Sequence, residues 1–227
     1  MIEWLCVDNS IDAKLYAESA ALVNQIANRY YLAMDAKNES QELLELIACL
    51  ARLHQGELRQ RAGSSELQPV HLQSLLFLRE ANRYSNTPLA LAEFLGSTKG
   101  TVSQSLLLLY RKGLVERHAD EHDGRVVRLR LSRRGAAMLN AAQPAPQWEE
   151  AAAALGTGEI KAAVAVLTRL LRALQRQRGG RSFGVCHTCK LFCRDTPSAF
   201  RCGLTDEALS RSDSLKICRE HAPTAAE

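Results

Sequence analysis

Five of the seven cysteines stand between Cys186 and Cys218; the other two, Cys6 and Cys49, lie far upstream. Thiols gathered this closely in a reducing compartment read as metal ligands or redox groups rather than disulfides. Cys186 and Cys189 form a C-x2-C step, a spacing at which two thiolates grip one tetrahedral ion from a tight knuckle. Cys202 and Cys218 complete a four-thiolate set. His221, which with Cys218 forms a C-x2-H step, is the alternative fourth ligand, and Cys193 is then spare or a redox thiol. Zinc is the first choice of metal. An iron–sulfur cluster is the alternative, since cysteine ligands alone suit it too, and metal-free redox cysteines come third. Few apolar residues surround these thiols, so a metal would supply folding energy that the segment lacks. His187 reads as a solvent-facing neighbour and Cys49, inside an apolar helical run, as packing. Catalytic zinc needs an open position and a carboxylate base. The chain has no H-E-x-x-H motif and only Glu220 close to the thiols, so an enzyme is set aside.

A second group of residues suits a different chemistry. Thr98, Lys99, Thr101, Ser103 and Gln104 open a helical stretch with short hydrogen-bonding side chains and one cation. Such a surface matches base edges and phosphates in a DNA major groove. Val102, Leu106 and Leu109 fall on the opposite face of the same helix. Charge follows this division. Residues 1–60 hold five Lys/Arg against nine Asp/Glu, a net of −4, whereas residues 97–134 hold nine against four, a net of +5. The whole chain carries +4, which alone would be a weak sign of nucleic-acid binding.

The elements that must position these groups are mostly helical. Apolar residues recur at helical spacing over 11–36, 41–62 and 70–84. Thr87 caps a short helix that starts at Pro88 and ends at Gly96; the next helix runs from about Thr98 to Lys112 and stops at Gly113. Residues 126–132 alternate in period two, after a polar Asp123-Gly124 turn, and Leu114 to His118 supply the opposing strand of a hairpin. A helix resumes over 134–142, Pro144 and Pro146 interrupt it, and a long amphipathic helix spans about 158–178. Gly179-Gly180 marks the clearest boundary, so the cysteine segment beyond it is expected to be separable. No run approaches the length of a membrane span, and no secretory leader is recognisable at the start, so a cytoplasmic protein is expected.

The stretch from Pro88 to Gly135 resembles the MarR (multiple antibiotic resistance regulator) family. The matching elements are L-A-x-x-L at Leu91–Leu95, T-K-x-T-V-S at Thr98–Ser103, K-G-L-V at Lys112–Val115 and D-G-R at Asp123–Arg125. The resemblance implies a mainly α winged helix-turn-helix, with a three-helix core and a two-stranded β wing. It also implies a helical dimerisation region, with the small cysteine-rich module appended at the C-terminus. The expected organisation is N-terminal dimerisation helices over 1–66, the DNA-binding domain over 67–140 and a C-terminal dimerisation helix over 141–180. A metal-binding module over 181–221 and a disordered tail over 222–227 follow. A homodimer would bind double-stranded DNA at an inverted repeat, as a repressor responding to a small molecule, redox state or metal. By the same resemblance Thr98 caps the recognition helix beside phosphate, Lys99, Ser103 and Gln104 face bases, and Thr101 lies on the same surface. Arg125 reaches the minor groove from the wing tip, held by Asp123. Tyr30, Tyr31, Phe77 and Tyr84 are candidates for an effector cavity, with core packing as the plainer role. Leu107 and Leu108 depart from the family pattern, in which these positions are usually polar. Leu107, one turn beyond Ser103, faces the groove or packs on another helix.

Overall fold

The computed structural model describes residues 39–63, 66–121, 123–141, 146–177 and 181–224; the helix expected over 11–36, with Tyr30 and Tyr31, lies outside them. Residues up to Glu57 and those from Leu58 onward form two compact units. The described part of the first is the N-terminal portion of helix α1 (Glu39–Gly63). Leu44, Leu46, Leu50 and Leu53 are exposed on it.

The second unit begins with the end of α1, whose Leu58 and Ala62 are buried in its core. Helix α2 (Pro69–Glu80) follows, with Pro at its first position. Its N-terminus is closed by a reciprocal pair: Gln68 caps the helix while its own backbone N–H donates to His71 Nδ1 at 3.0 Å. Burial, and then the Lys112 charge, lower the His71 pKa, so the ring is held neutral as that acceptor. Helix α3 (Pro88–Leu95) is capped by Thr87, which accepts from the Ala90 amide at 3.2 Å, and ends at Gly96 with φ 61°. Helix α4 (Lys99–Arg111) is capped by Thr98 in the same way, accepting from the Thr101 amide at 3.2 Å. Gly113, at φ 65°, turns the chain out of it. Both glycines occupy the left-handed region that closes helices at little steric cost.

Strands β1 (Val115–Ala119) and β2 (Val127–Leu131) then form an antiparallel hairpin, with Val115 opposite Leu131 and Ala119 opposite Val127. Leu72, Leu75, Leu91, Val102, Leu109 and Leu129 form the centre of the core. Helix α5 (Arg133–Ala141) packs back on this hairpin. Helices α6 (Pro146–Ala153) and α7 (Thr157–Gln177) follow. The sequence reading placed only an interruption at Pro146. Proline instead opens a helix there, where its missing N–H costs nothing. No residue of α7 is buried, and Ile160, Val164, Leu167, Leu171 and Leu174 are exposed on it. No single described helix is long and apolar enough to cross a membrane.

The cysteine segment folds as short strands. Strand β3 (Gly184–Val185) pairs with β7 (Ile217–Cys218), and β4 (Phe192–Arg194), β5 (Phe200–Cys202) and β6 (Ala208–Leu209) form a three-stranded meander. A 3₁₀ turn (Cys186–Thr188) and a short helix α8 (Arg211–Ser214) join them. Order continues past residue 221: Ala222 O accepts from the Lys190 amide at 2.8 Å, and Pro223 bridges Cys189. The segment lies within the same compact unit as the winged helix rather than apart from it. Ile217 O accepts from the Asn82 amide at 2.9 Å. Phe183 meets Phe94 and Phe77 with ring centroids 5.4 and 6.2 Å away.

Gly135 is the tightest point of the winged helix. A Cβ there would sit 2.1 Å from the Leu114 carbonyl oxygen, a backbone atom that cannot swing aside. Gly135→Ala should therefore cost about 3 kcal/mol or more in urea unfolding. An unchanged midpoint would show that α5 does not approach β1 this closely.

Candidate functional site

Two surfaces carry the residues singled out above. On α4, Val102, Ser105, Leu106 and Leu109 are buried, and Lys99, Thr101, Ser103 and Gln104 are exposed together on the outer side. The burial follows from the helical spacing of apolar residues, which leaves the polar ones no inward direction. The Thr98 hydroxyl is 2.9 Å from that of Thr101. Leu107 is exposed with this face, at 40%, and Leu108 packs partly against the core. The first turn of α4 contains no acidic residue. No acidic side chain in that turn opposes the positive end of the helix dipole.

The wing is built around two aspartates. Asp120 Oδ1 accepts from the Asp123 amide at 3.0 Å, and Asp120 Oδ2 accepts from Arg128 Nε at 2.6 Å. Asp123 Oδ1 accepts from the backbone amide of Arg125 at 3.0 Å. Asp123 thus shapes the turn that presents Arg125, which is exposed at the tip. Arg130 and Arg117 are exposed on the strands, Arg117 with its guanidinium 5.4 Å from the Tyr110 ring centre.

In the C-terminal segment, Cys186, Cys189, Cys202 and Cys218 line one cavity of about 70 Å³. They come from the 3₁₀ turn, the residue that ends it, β5 and β7. Leu191, Phe192 and Leu204 share the wall, as do Tyr84, Thr205 and Glu220. Cys189 Sγ accepts two backbone N–H groups, from Ala222 at 3.3 Å and Leu191 at 3.4 Å. Burial, and then the neighbouring Cys218, Cys202 and Cys189, push the Cys186 thiol up to about 12. Burial likewise raises Cys218. Among the described residues, no three Cys, His, Asp or Glu side chains are gathered as ligands of a single ion.

His221 and Cys193 stand apart from these four. His221 Nε2 meets the Thr188 hydroxyl at 2.9 Å and Nδ1 the Ser182 hydroxyl at 3.1 Å. A Cβ on Gly184 would fall 2.5 Å from the imidazole, so the ring is stacked on a bare backbone. Burial lowers the His221 pKa. These contacts make His221 an internal brace of the segment. Cys193 lies on β4 with its sulfur 3.8 Å from Leu191 O.

Sequence reasoning missed the seam between the cysteine segment and the turn joining α2 to α3. Asn82 Oδ1 accepts from the Ser85 hydroxyl at 2.7 Å, and Ser85 Oγ accepts from the Arg219 amide at 2.7 Å. The Arg219 guanidinium grips the Glu93 carboxylate on α3 at 2.6 and 2.7 Å, with Arg181 Nε 3.8 Å away. Those contacts, with a further contribution from the Lys99 charge, keep Glu93 below the usual carboxylate range, the Arg219 hydrogen bond first. Arg83 pairs with Glu207 at 2.7 Å, and the Tyr84 hydroxyl donates to the same carboxylate. Tyr84 therefore walls the thiol cavity, and Phe77 is a core residue.

Residues 65–126 match the MarR family model. No curated protein sequence matches the chain. Among solved structures, a mutant MarR from E. coli complexed with operator DNA is 24% identical, covering 60% of this chain and 99% of that one, with a TM-score of 0.47. The S. aureus MepR–DNA complex is 24% identical over 58% and 96%, with a TM-score of 0.48. The regulator BldR of Sulfolobus solfataricus is 23% identical over 58% and 96%, with a TM-score of 0.46.

The Arg219–Glu93 pair is bidentate and partly shielded, with side chains 18% and 33% exposed. Arg219→Ala should weaken the seam by about 1–2 kcal/mol, seen as faster protease cleavage within residues 181–224. Adding Glu93→Ala should then cost little more. Fully additive losses would show that the two side chains do not act as a pair.

Proposed function

We infer that this chain, whose residues 65–126 match the MarR family model, is a sequence-specific transcription regulator that binds double-stranded DNA as a homodimer. The observation that carries this reading is the exposed face of α4. Lys99, Thr101, Ser103 and Gln104 point outward together, a basic wing follows, and the helix N-terminus has no acidic neighbour in its first turn. In this reading Thr98 meets phosphate, and Lys99, Ser103 and Gln104 face base edges. Arg125 extends from the wing toward the adjacent minor groove. Leu107 meets a thymine methyl group.

The homodimer is supported by apolar surface. Leu46, Leu50 and Leu53 on α1, and Ile160, Val164, Leu167, Leu171 and Leu174 on α7, are exposed at helical spacing. Stripes of this kind mark helix–helix interfaces, and a second copy supplies identical ones. The C-terminal segment is the regulator's metal-binding sensor. Of the signals open to such a regulator, the four-thiol cavity favours metal or redox state over an aromatic small molecule.

Gln104→Ala should cost roughly 1–3 kcal/mol on the selected site and much less on random duplex DNA. Equal losses on both would remove Gln104 from base reading. Two-fold symmetry requires a footprint of two inverted half-sites about 10 base pairs apart, or a multiple of that. A single unrepeated half-site would contradict the dimer.

A further inference from the structure

We propose that the cavity between α7 and the cysteine segment, walled by Arg172, Arg176, Arg181 and Arg219, binds a small organic molecule with two or more negative charges, a phosphate ester or a polycarboxylate. The site rests neither on the DNA-binding reading nor on an occupant of the thiol cavity.

The cavity holds about 420 Å³, a volume within the range of small-molecule sites. Arg172 and Arg176 stand one turn apart on α7, and Arg181 and Arg219 come from the cysteine segment. Guanidinium groups stay charged throughout the working pH range, so the wall is positive whatever the conditions. Among the described residues that line the cavity, Glu220 is the one carboxylate. It is engaged by Arg181 and, at 2.8 Å, by Arg219, and the same two arginines reach Glu93 on α3. Four cations around one small space repel one another, and like charges at positions 172 and 176 of a helix do so most directly. An anion seated among them relieves that repulsion. The planar forks of arginine match the paired oxygens of phosphate and carboxylate groups, and several such forks favour a ligand with more than one anionic group.

The helix dipole explains part of this charge. Arg176 lies in the last turn of α7, where the negative end of the dipole favours a cation. That effect does not reach Arg181 and Arg219, which belong to the cysteine segment. The two walls are also joined without a ligand. Gln175 Nε2 donates to Ser182 O at 3.0 Å, and the Ser182 hydroxyl lies 3.1 Å from Nδ1 of the buried His221. Such bracing holds the arginines near their bound positions and lowers the cost of binding. Every lining residue lies beyond residues 65–126, so the cavity is an addition to the winged helix rather than part of it. An occupant that touches both walls ties α7 to the segment docked on α3.

The test is calorimetric titration of the full chain at constant ionic strength, with fructose 1,6-bisphosphate as the phosphate ester and succinate as the polycarboxylate. At least one of the two should bind, about one per chain, with a Kd of about 0.1 mM or tighter, and the one that binds identifies the anionic group. Arg176→Ala and Arg172→Ala should each weaken that binding about tenfold or more. Arg169→Ala, on the same helix but off the cavity wall, should leave it within about twofold. Weaker binding of both probes overturns the proposal, as does equal loss from Arg169→Ala and Arg176→Ala, which would mark general attraction to a basic helix. Loss of duplex DNA affinity in Arg176→Ala, with neither probe bound, would assign these arginines to the DNA backbone and overturn it too.

Discussion

The turn at residues 81–86 is the constraint on which both surfaces depend. It joins α2 to α3 and so sets where the helix-turn-helix begins. Asn82 fixes it from within, accepting from the Tyr84 amide, the Ser85 amide and the Ser85 hydroxyl. The same turn presents Asn82 and Ser85 to β7 and Tyr84 to the thiol cavity. Ser85 is fully buried and Asn82 nearly so, which means their polar groups must be satisfied within the protein. The cysteine segment supplies part of that satisfaction through the Arg219 amide. Its presence therefore completes the winged helix rather than merely following it.

That arrangement explains why so small a segment is ordered. Strands of two or three residues cannot hold a register alone. Phe183 and Ile217 bury against the core of the winged helix, and the aromatic contact of Phe183 with Phe94 fixes the point of entry. Arg219 and Arg181 share Glu93 and Glu220, and Arg83 adds a separate pair with Glu207. Each pair is partly exposed and individually modest, but the shared carboxylates favour one docked geometry over sliding alternatives.

The winged helix was legible because its signals are local. Thr87, Gly96, Thr98 and Gly113 act within one helical turn of themselves, so residue type and position suffice to read them. The inward face of α4 followed from spacing alone. The clustering of Cys186, Cys189, Cys202 and Cys218 late in the chain also anticipated that the four would line one cavity. The partners of that set were not. Asn82, Ser85, Tyr84 and Glu93 belong to the first half of the chain, and the contact between Ser85 and Arg219 spans 134 residues. No periodicity or spacing encodes such a meeting. The short strands of the cysteine segment were illegible for a related reason: two residues cannot display a period of two. The surroundings of His221 were illegible too: C-x2-H spacing encodes neither the Thr188 and Ser182 hydroxyls that meet its ring nor the bare backbone of Gly184 beneath it.

Docking also decides how far the cysteine segment can act alone. A separable tail beyond Gly179-Gly180 would unfold by itself and leave the winged helix as it was. Here Phe183 and Ile217 pack against the core of the winged helix, and Arg219 and Arg181 meet Glu93 on α3. Cys218, on the wall of the thiol cavity, is the sequence neighbour of Arg219 in the seam. A rearrangement of the cavity wall at β7 therefore reaches the contacts that hold the segment to the helix-turn-helix, because two adjacent residues cannot move independently.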